Sequence, residues 1–280
     1  MTPSPRGELE LPSAVALSRL AGCTYAVLAH DGAVLDLSRR DDLAGVRAAL
    51  AALGSVTAVL ASTAWWVPGR IEVLGKHTDY TGGRVLTCAT TCGLVVVGAA
   101  PADTQSQIIS GDAQVVIRDS TSAAVASDEP AIAERPPWAV YIDTVVNRLR
   151  ANFPGALRGV DLAVANDLPP ASGMSLSSAL LLGLAAALAA LWKLAADPRW
   201  PHDFPGYAAC IENDNNFGEL SGHTGVGTAG GAVDHTAICG GQAGQLTCWS
   251  LAPTVREVDL VLPAGTSLVI AVSGVFAEKA

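Results

Sequence analysis

Residues 68–83 read Pro-Gly-Arg-Ile-Glu-Val-Leu-Gly-Lys-His-Thr-Asp-Tyr-Thr-Gly-Gly. Ile71, Val73 and Leu74 form an apolar, strand-like run behind a Pro-Gly-Arg entry. Lys76, His77, Asp79 and Tyr80 then place a cation, an imidazole, a carboxylate and a phenol within five positions. Thr81, Gly82 and Gly83 close the stretch with a sharp turn, since glycine reaches positive φ without penalty. Core packing does not call for so many hydrogen-bonding groups. A hydroxyl-rich ligand held close to the backbone does.

The rest of the chain sets the frame for that site. Its 280 residues suffice for one large domain or two modest ones, and half of them are apolar, which argues for a compact globule over disorder. The net charge of −9 argues against nucleic acid as the main partner, because no basic stripe is available to neutralise phosphates. A nucleotide ligand would need backbone amides, a metal ion and a few placed cations instead. The cysteines at 23, 88, 92, 210, 239 and 248 include no C-x-x-C pair, so reduced thiols of a cytoplasmic protein are expected. The N-terminus lacks the apolar core of a signal peptide. Residues 171–192 carry no charge, but alanine dominates and the first third is rich in Ser and Gly. That fits a buried helix better than a membrane span.

Periodicity predicts a helix at 41–53 and a short strand at 56–60, in an N-terminal region without convincing active groups. Strands are expected at 64–74 and 85–100, the second buried and central, followed by a hairpin arm at 107–118 and a polar loop at 120–137. A helix at 138–153 and a strand at 159–165 lead into the alanine-rich helix. Pro, Trp and charge at 197–205 mark a subdomain boundary, with a helix at 207–217 after it. Glycine-dense loops are expected over 218–244 and strands at 245–249, 256–262 and 267–272.

The second chemical signal is Leu-Pro-Pro-Ala-Ser-Gly-Met-Ser-Leu-Ser-Ser-Ala at 168–179, between a strand and the long helix. A helix N-terminus exposes unpaired amides and carries partial positive charge, so such a loop binds phosphates without lysine. Serine hydroxyls there can also ligate Mg²⁺ that bridges the phosphates. An ordinary capped helix is the alternative, although a cap needs one serine and this loop has four, at 172, 175, 177 and 178. Gly75-Lys76 is not a P-loop, since His77 stands where Ser or Thr is required. Residues 225–230 match G-x-G-x-x-G, but no apolar strand precedes them, which argues against a dinucleotide fingerprint. Asp234, in a small-residue loop, either orients or deprotonates a substrate hydroxyl or caps the next helix. Glu212 and Glu219 are the acidic candidates for a metal, and Arg70 for pairing with Asp234 or a transferring phosphoryl group. Taken singly, His77, His223 and His235 read as structural hydrogen-bonders.

Together these segments resemble a known family. Residues 68–83 look like the galactokinase signature, residues 168–179 resemble the phosphate loop of the GHMP small-molecule kinases, and Gly225 to Ile238 is similar to the galactokinase segment bearing the catalytic aspartate. The resemblance covers about residues 60–280. It implies an α+β GHMP kinase fold, with a ribosomal protein S5 domain 2-like N-terminal lobe over 1–200 and a ferredoxin-like C-terminal lobe over 201–280. The latter would be incomplete, because the chain ends before the family's third glycine-rich motif. It implies transfer of the ATP γ-phosphoryl group, with Mg²⁺, to the anomeric hydroxyl of galactose or a related sugar. By motif position Asp234 and Arg70 would be catalytic, and Lys76, His77, Asp79, Tyr80 and Gly231 would bind the sugar. Pro170, Ser172, Gly173, Ser175, Ser177 and Ser178 would bind the nucleotide, and Ser177 and Glu212 the metal, although extra residues separate Glu212 from Asp234. Lys76 stands where galactokinases usually have glutamate, and an ammonium cannot accept a hydrogen bond. A uronic acid substrate, or a non-catalytic sugar-binding regulator, is therefore the competing expectation.

Overall fold

A computed structural model of the chain describes residues 24–25, 63–99, 105–110, 113–118, 138–154, 160–166, 168, 172–263, 265 and 268. Two long strands organise it: β2 (Thr63–Leu74) and β3 (Arg84–Ala99), paired antiparallel over most of their length. Their β-branched and aromatic residues, among them Trp65, Trp66, Val67 and Val95 to Val97, suit a pleated surface. The connection between them is the polar stretch, wound into a short 3-10 helix at Thr78–Thr81. Gly75 enters that turn at φ 92°, and a side chain there would collide with the Arg84 backbone.

β3 is shared. Its first residues pair with β7 (Gln245–Ser250) and its last with β6 (Asp161–Asn166), both antiparallel. β4 (Gln105–Ser110) runs parallel to β6 and forms a hairpin with β5 (Ala113–Arg118). β8 (Val255–Val261) pairs with β7, and β1 (Thr24–Tyr25) runs parallel to β2. The strands of the described residues thus form one mixed, mainly antiparallel sheet.

The α-helices among the described residues are α1 (Ala139–Asn152), α2 (Leu176–Leu191), α3 (Phe204–Glu212) and α4 (Val233–Gly240). They cover the sheet face that carries Val67, Leu94, Val96, Leu162 and Val164, whereas Val95 lies on the opposite face in a separate small cluster around Val97. α2 is apolar nearly all round because neighbours surround it: β2 and β3 beneath, α1, α3 and α4 around. Residues on both sides of position 200 share this core, Tyr207, Ala208 and Ile211 packing with the α1 and α2 side chains. Among the described residues no helix is long and apolar enough to cross a membrane.

Two expectations need correction. The helix expected at 207–217 begins earlier and ends earlier. Asp203 caps it, accepting from Gly206 N at 3.0 Å, and Pro205 suits its first turn. It stops at Glu212 because Asp214 takes a left-handed φ of 58° that no helix continues. The loops expected throughout 218–244 contain α4, whose Ala237 and Ile238 are buried. The helix at 41–53, the strands at 56–60 and 267–272 and the loop at 120–137 fall outside the described residues, apart from Leu268. Cys88, Cys210, Cys239 and Cys248 are reduced, and burial pushes the Cys239 thiol up to about 12.

A buried cation ties α1 to the chain beyond α3. Arg148, 1% exposed, donates from Nε to Asn152 Oδ1 and from Nη2 to the Asn215 carbonyl, each at 2.8 Å, and lies over the Tyr207 ring. A buried charge is tolerated only with partners of this kind.

The close contact of α2 with the sheet depends on Gly183. A Cβ there would lie 2.7 Å from Val96 Cγ2 and 3.0 Å from Leu94 Cδ1. Gly183→Val should therefore destabilise the fold by about 1–3 kcal/mol, read as a lower urea midpoint at unchanged slope. An unchanged midpoint would mean that α2 does not pack against these strands at this point.

Candidate active site

The site forms where three segments meet at the end of β2. The first is β2 itself, whose register shifts between Pro68 and Arg70. Gly69 has no room for a side chain: a Cβ would come within 3 Å of Leu168, the Met174 carbonyl and Thr90. Glycine at 69 thus lets the serine-rich loop approach, and Arg70 N donates to the Met174 carbonyl at 3.1 Å.

Arg70 then joins all three segments. Its Nε and Nη2 both donate to Asp234 Oδ1, the former at 2.8 Å, and its Nη1 donates to the Gly173 carbonyl at 2.8 Å. Asp234 sits in the first turn of α4 and makes no cap; Ala232 occupies the N-cap position. The other carboxylate oxygen, Oδ2, accepts from Ser175 Oγ at 2.7 Å. A carboxylate held on both oxygens has one orientation.

A second cluster lies beside the first. Glu212, the last residue of α3 and 4% exposed, accepts from Ser178 Oγ at 2.8 Å, and its Oε2 lies 3.0 Å from Nε2 of the buried His235. Burial works to raise the Glu212 pKa, and His235 beside it, with the Ser178 and Ser177 hydroxyls, outweighs it, leaving the carboxyl below its ordinary value. Tyr141 of α1 lies beside Ser177 and Glu212. Its phenol is pushed up by burial first and by the Glu212 charge second. Because His235 follows Asp234, the two clusters are adjacent.

The third group is the polar turn. Tyr80 Oη donates to the Ala229 carbonyl at 3.2 Å, and its ring stacks on His77 with centroids 5.6 Å apart. Gly231 packs so tightly on the Asp79 carboxylate that any side chain would collide with it. The glycine run before Asp234 therefore closes against the turn after β2. Asn213 holds that run in place: its amide donates to the Gly230 carbonyl at 2.6 Å, and its Oδ1 accepts from Gly230 N and Thr228 Oγ1. The long spacing between Glu212 and Asp234 is looped out over 213–230 and clamped at its base.

The sequence-derived candidates thus fall into three contacts. Arg70, Asp234, Gly173 and Ser175 meet, as do Ser177, Ser178 and Glu212, and Asp79 and Tyr80 meet the run ending in Gly231. Lys76 is exposed and pairs with no carboxylate among the described residues; His77 is exposed beside it. Ser172 lies on the serine-rich loop just before Gly173, and Pro170 falls outside the described residues. Tyr141 and Asn213 complete the site without having stood out in the sequence, and His235, read there as a structural hydrogen-bonder, lies against Glu212. Only the Glu-Asn pair at 212–213, ahead of the glycine run, could have flagged Asn213.

The groups fit Mg²⁺ and a nucleotide phosphate. Ser177, Ser178 and Glu212 offer hard oxygen donors, and Mg²⁺ characteristically takes one or two carboxylates plus substrate phosphates. No larger cluster of metal-binding side chains occurs among the described residues. The first turn of α2 has no side-chain cap, and the space beside Gly173 is open.

Residues 140–241 match the family model of the GHMP kinases N terminal domain, the class that this fold and site resemble. Within that class the relationship is to galactokinases, since residues 58–100 match the galactokinase galactose-binding signature. The chain is 30% identical over 199 residues to a galactokinase of Exiguobacterium sibiricum, covering 70% of this chain and 47% of that one. It is 36% identical over 113 residues to a galactokinase of Limosilactobacillus fermentum, covering 40% of this chain and 28% of that one. It thus spans less than half the length of these relatives. A crystal structure of Lactococcus lactis galactokinase complexed with galactose superposes with a TM-score of 0.54 at 22% identity, over 70% of this chain and 46% of that one. The fold is shared.

The Arg70 fork is the geometric requirement of the site. Arg70→Lys cannot reproduce two bonds to Asp234 and a third to Gly173. It should lower unfolding stability by about 1–3 kcal/mol in urea titrations. Stability equal to that of the unsubstituted protein would show that the fork is not formed.

Proposed function

We propose that this chain is the sugar- and phosphate-binding part of an ATP-dependent sugar kinase that phosphorylates the anomeric C1 hydroxyl of galactose or a related sugar. The observation that carries the reading is the Asp234 carboxylate, fixed by Arg70 and Ser175 between the serine-rich loop and the polar turn. Asp79 and Tyr80, with His77 and the Gly231 backbone, line the sugar end and offer both donors and acceptors to hydroxyl groups. The amides and hydroxyls at Ser172, Gly173, Ser177 and Ser178 would receive the phosphates, with Pro170 preceding them in the sequence, and Ser177 with Glu212 would hold the metal. Bound Mg·ATP supplies the γ-phosphoryl group and neutralises its charge.

Asp234 takes the proton of the attacking hydroxyl as its oxygen bonds to phosphorus and the bond to the ADP oxygen breaks. Arg70 keeps the carboxylate from swinging away and places positive charge beside the transferring group. A cytoplasmic location, with nucleic acid and membranes outside its partners, belongs to the same reading.

A second reading concerns the substrate. The exposed ammonium of Lys76, which pairs with no carboxylate among the described residues, favours a sugar carrying a carboxylate over one carrying only hydroxyls. Parallel kinetics on galactose and galacturonate should give the higher kcat/KM for galacturonate; a clear preference for galactose removes this reading. The parent proposal is tested by sugar-dependent ADP release from the unsubstituted protein and from Asp234→Asn. Release in the former, lost by a factor of at least about 100 in the latter, is expected. Sugar binding without release in either protein would indicate a non-catalytic sugar-binding regulator instead.

A further inference from the structure

The serine-rich loop gives its residues unequal tasks. Ser175 occupies the N-cap position of α2, where a serine ordinarily turns its hydroxyl back onto the first amides of the helix. It does not do so here: it makes no side-chain cap. Its backbone adopts φ 57° and ψ 44°, the left-handed region that residues other than glycine visit rarely. In that conformation its Oγ reaches Asp234 Oδ2 at 2.7 Å, across 59 residues of sequence. The carbonyl of Ser175 still accepts the first helical bond, from Ala179 N at 2.9 Å, so the helix starts normally.

Two consequences follow from this geometry. A carboxylate has about four acceptor positions, two on each oxygen. Arg70 fills Oδ1 with two donors and Ser175 takes one position on Oδ2, which leaves one position on Oδ2 for an incoming proton. The amides of Leu176, Ser177 and Ser178, which a conventional cap would have engaged in part, stay available to an anion.

We propose that Ser175 is a positioning residue for Asp234 and not a phosphate ligand. Its strained conformation selects the oxygen that accepts the substrate proton, and at the same time it keeps the helix N-terminus open. This rests on the sugar-kinase reading only in what Asp234 does with the proton; the Ser175–Asp234 coupling stands independently of it.

The test compares Ser175→Ala with Ser175→Gly in the full chain. Both remove the hydroxyl, and the glycine also relieves the left-handed backbone. The expected result is a fall in kcat of about tenfold or more for both variants. The KM for ATP and the ATP dissociation constant from calorimetry should stay within about twofold, and Ser175→Gly should unfold no more readily than Ser175→Ala. A tenfold rise in the ATP dissociation constant with kcat retained would overturn the proposal, because Ser175 would then be gripping phosphate. A double-mutant cycle of Ser175→Ala with Asp234→Ala, read by urea unfolding, supplies a readout that needs no turnover. Coupling of about fivefold or more in the unfolding constant is expected, and additive effects would overturn the contact. Should the cycle show coupling while the unsubstituted protein forms no ADP with any sugar, the sugar-kinase reading fails and the positioning of Asp234 by Ser175 holds.

Discussion

Arg70 and Asp234 lie 164 residues apart in the chain, and the guanidinium fork between them holds the site together. Arg70 stands on β2 beside the central strand β3, and Asp234 in the first turn of the short helix α4, which packs on both strands. The third donor of the fork takes the Gly173 carbonyl, so the serine-rich loop is referenced to the same point. A planar group with several fixed donors can register three segments at once; a lysine cannot. Gly69, which leaves room for the loop against the strand, is the steric counterpart of the same constraint.

The architecture separates two kinds of chemistry within a few residues. Asp234 faces the serine-rich loop and Arg70, and the next residue, His235, turns into the protein and meets Glu212. One helical turn therefore fixes Asp234 directly and reaches Glu212 through His235. The clamp by Asn213 lets the chain between Glu212 and Asp234 be long without loosening either. Arg148 anchors the same segment from beneath, through the Asn215 carbonyl.

Much of this was legible in the sequence, because the signals were local. The β-branched runs and the turn between them gave β2, the polar stretch and β3 within a residue or so of their observed bounds. The charge-free alanine-rich segment gave α2, and the arm expected at 107–118 is the β4–β5 hairpin. What escaped was long-range or disguised by small residues. α4 reads as a glycine-rich loop because only Ala237 and Ile238 are fully apolar and buried in it. The end of α3 at Glu212 is decided by the left-handed Asp214, and no propensity reports that conformation for an aspartate. Ser175 looked like one more serine of a phosphate loop; only its backbone angles and the position of Asp234 distinguish it from Ser177 and Ser178. Tyr141 carries no motif, and its proximity to Ser177 arises solely from how α1 packs on α2.

Phosphoryl transfer to the anomeric oxygen of a sugar is the task proposed for the Asp234 carboxylate. The most direct measurement is phosphorus and proton NMR of the product formed from Mg·ATP and a sugar panel that includes galactose and galacturonate. The account predicts a new phosphate monoester signal coupled to the anomeric proton, appearing in step with ADP. Phosphate coupled to a proton elsewhere on the ring, or ATP consumed to inorganic phosphate alone, would contradict it.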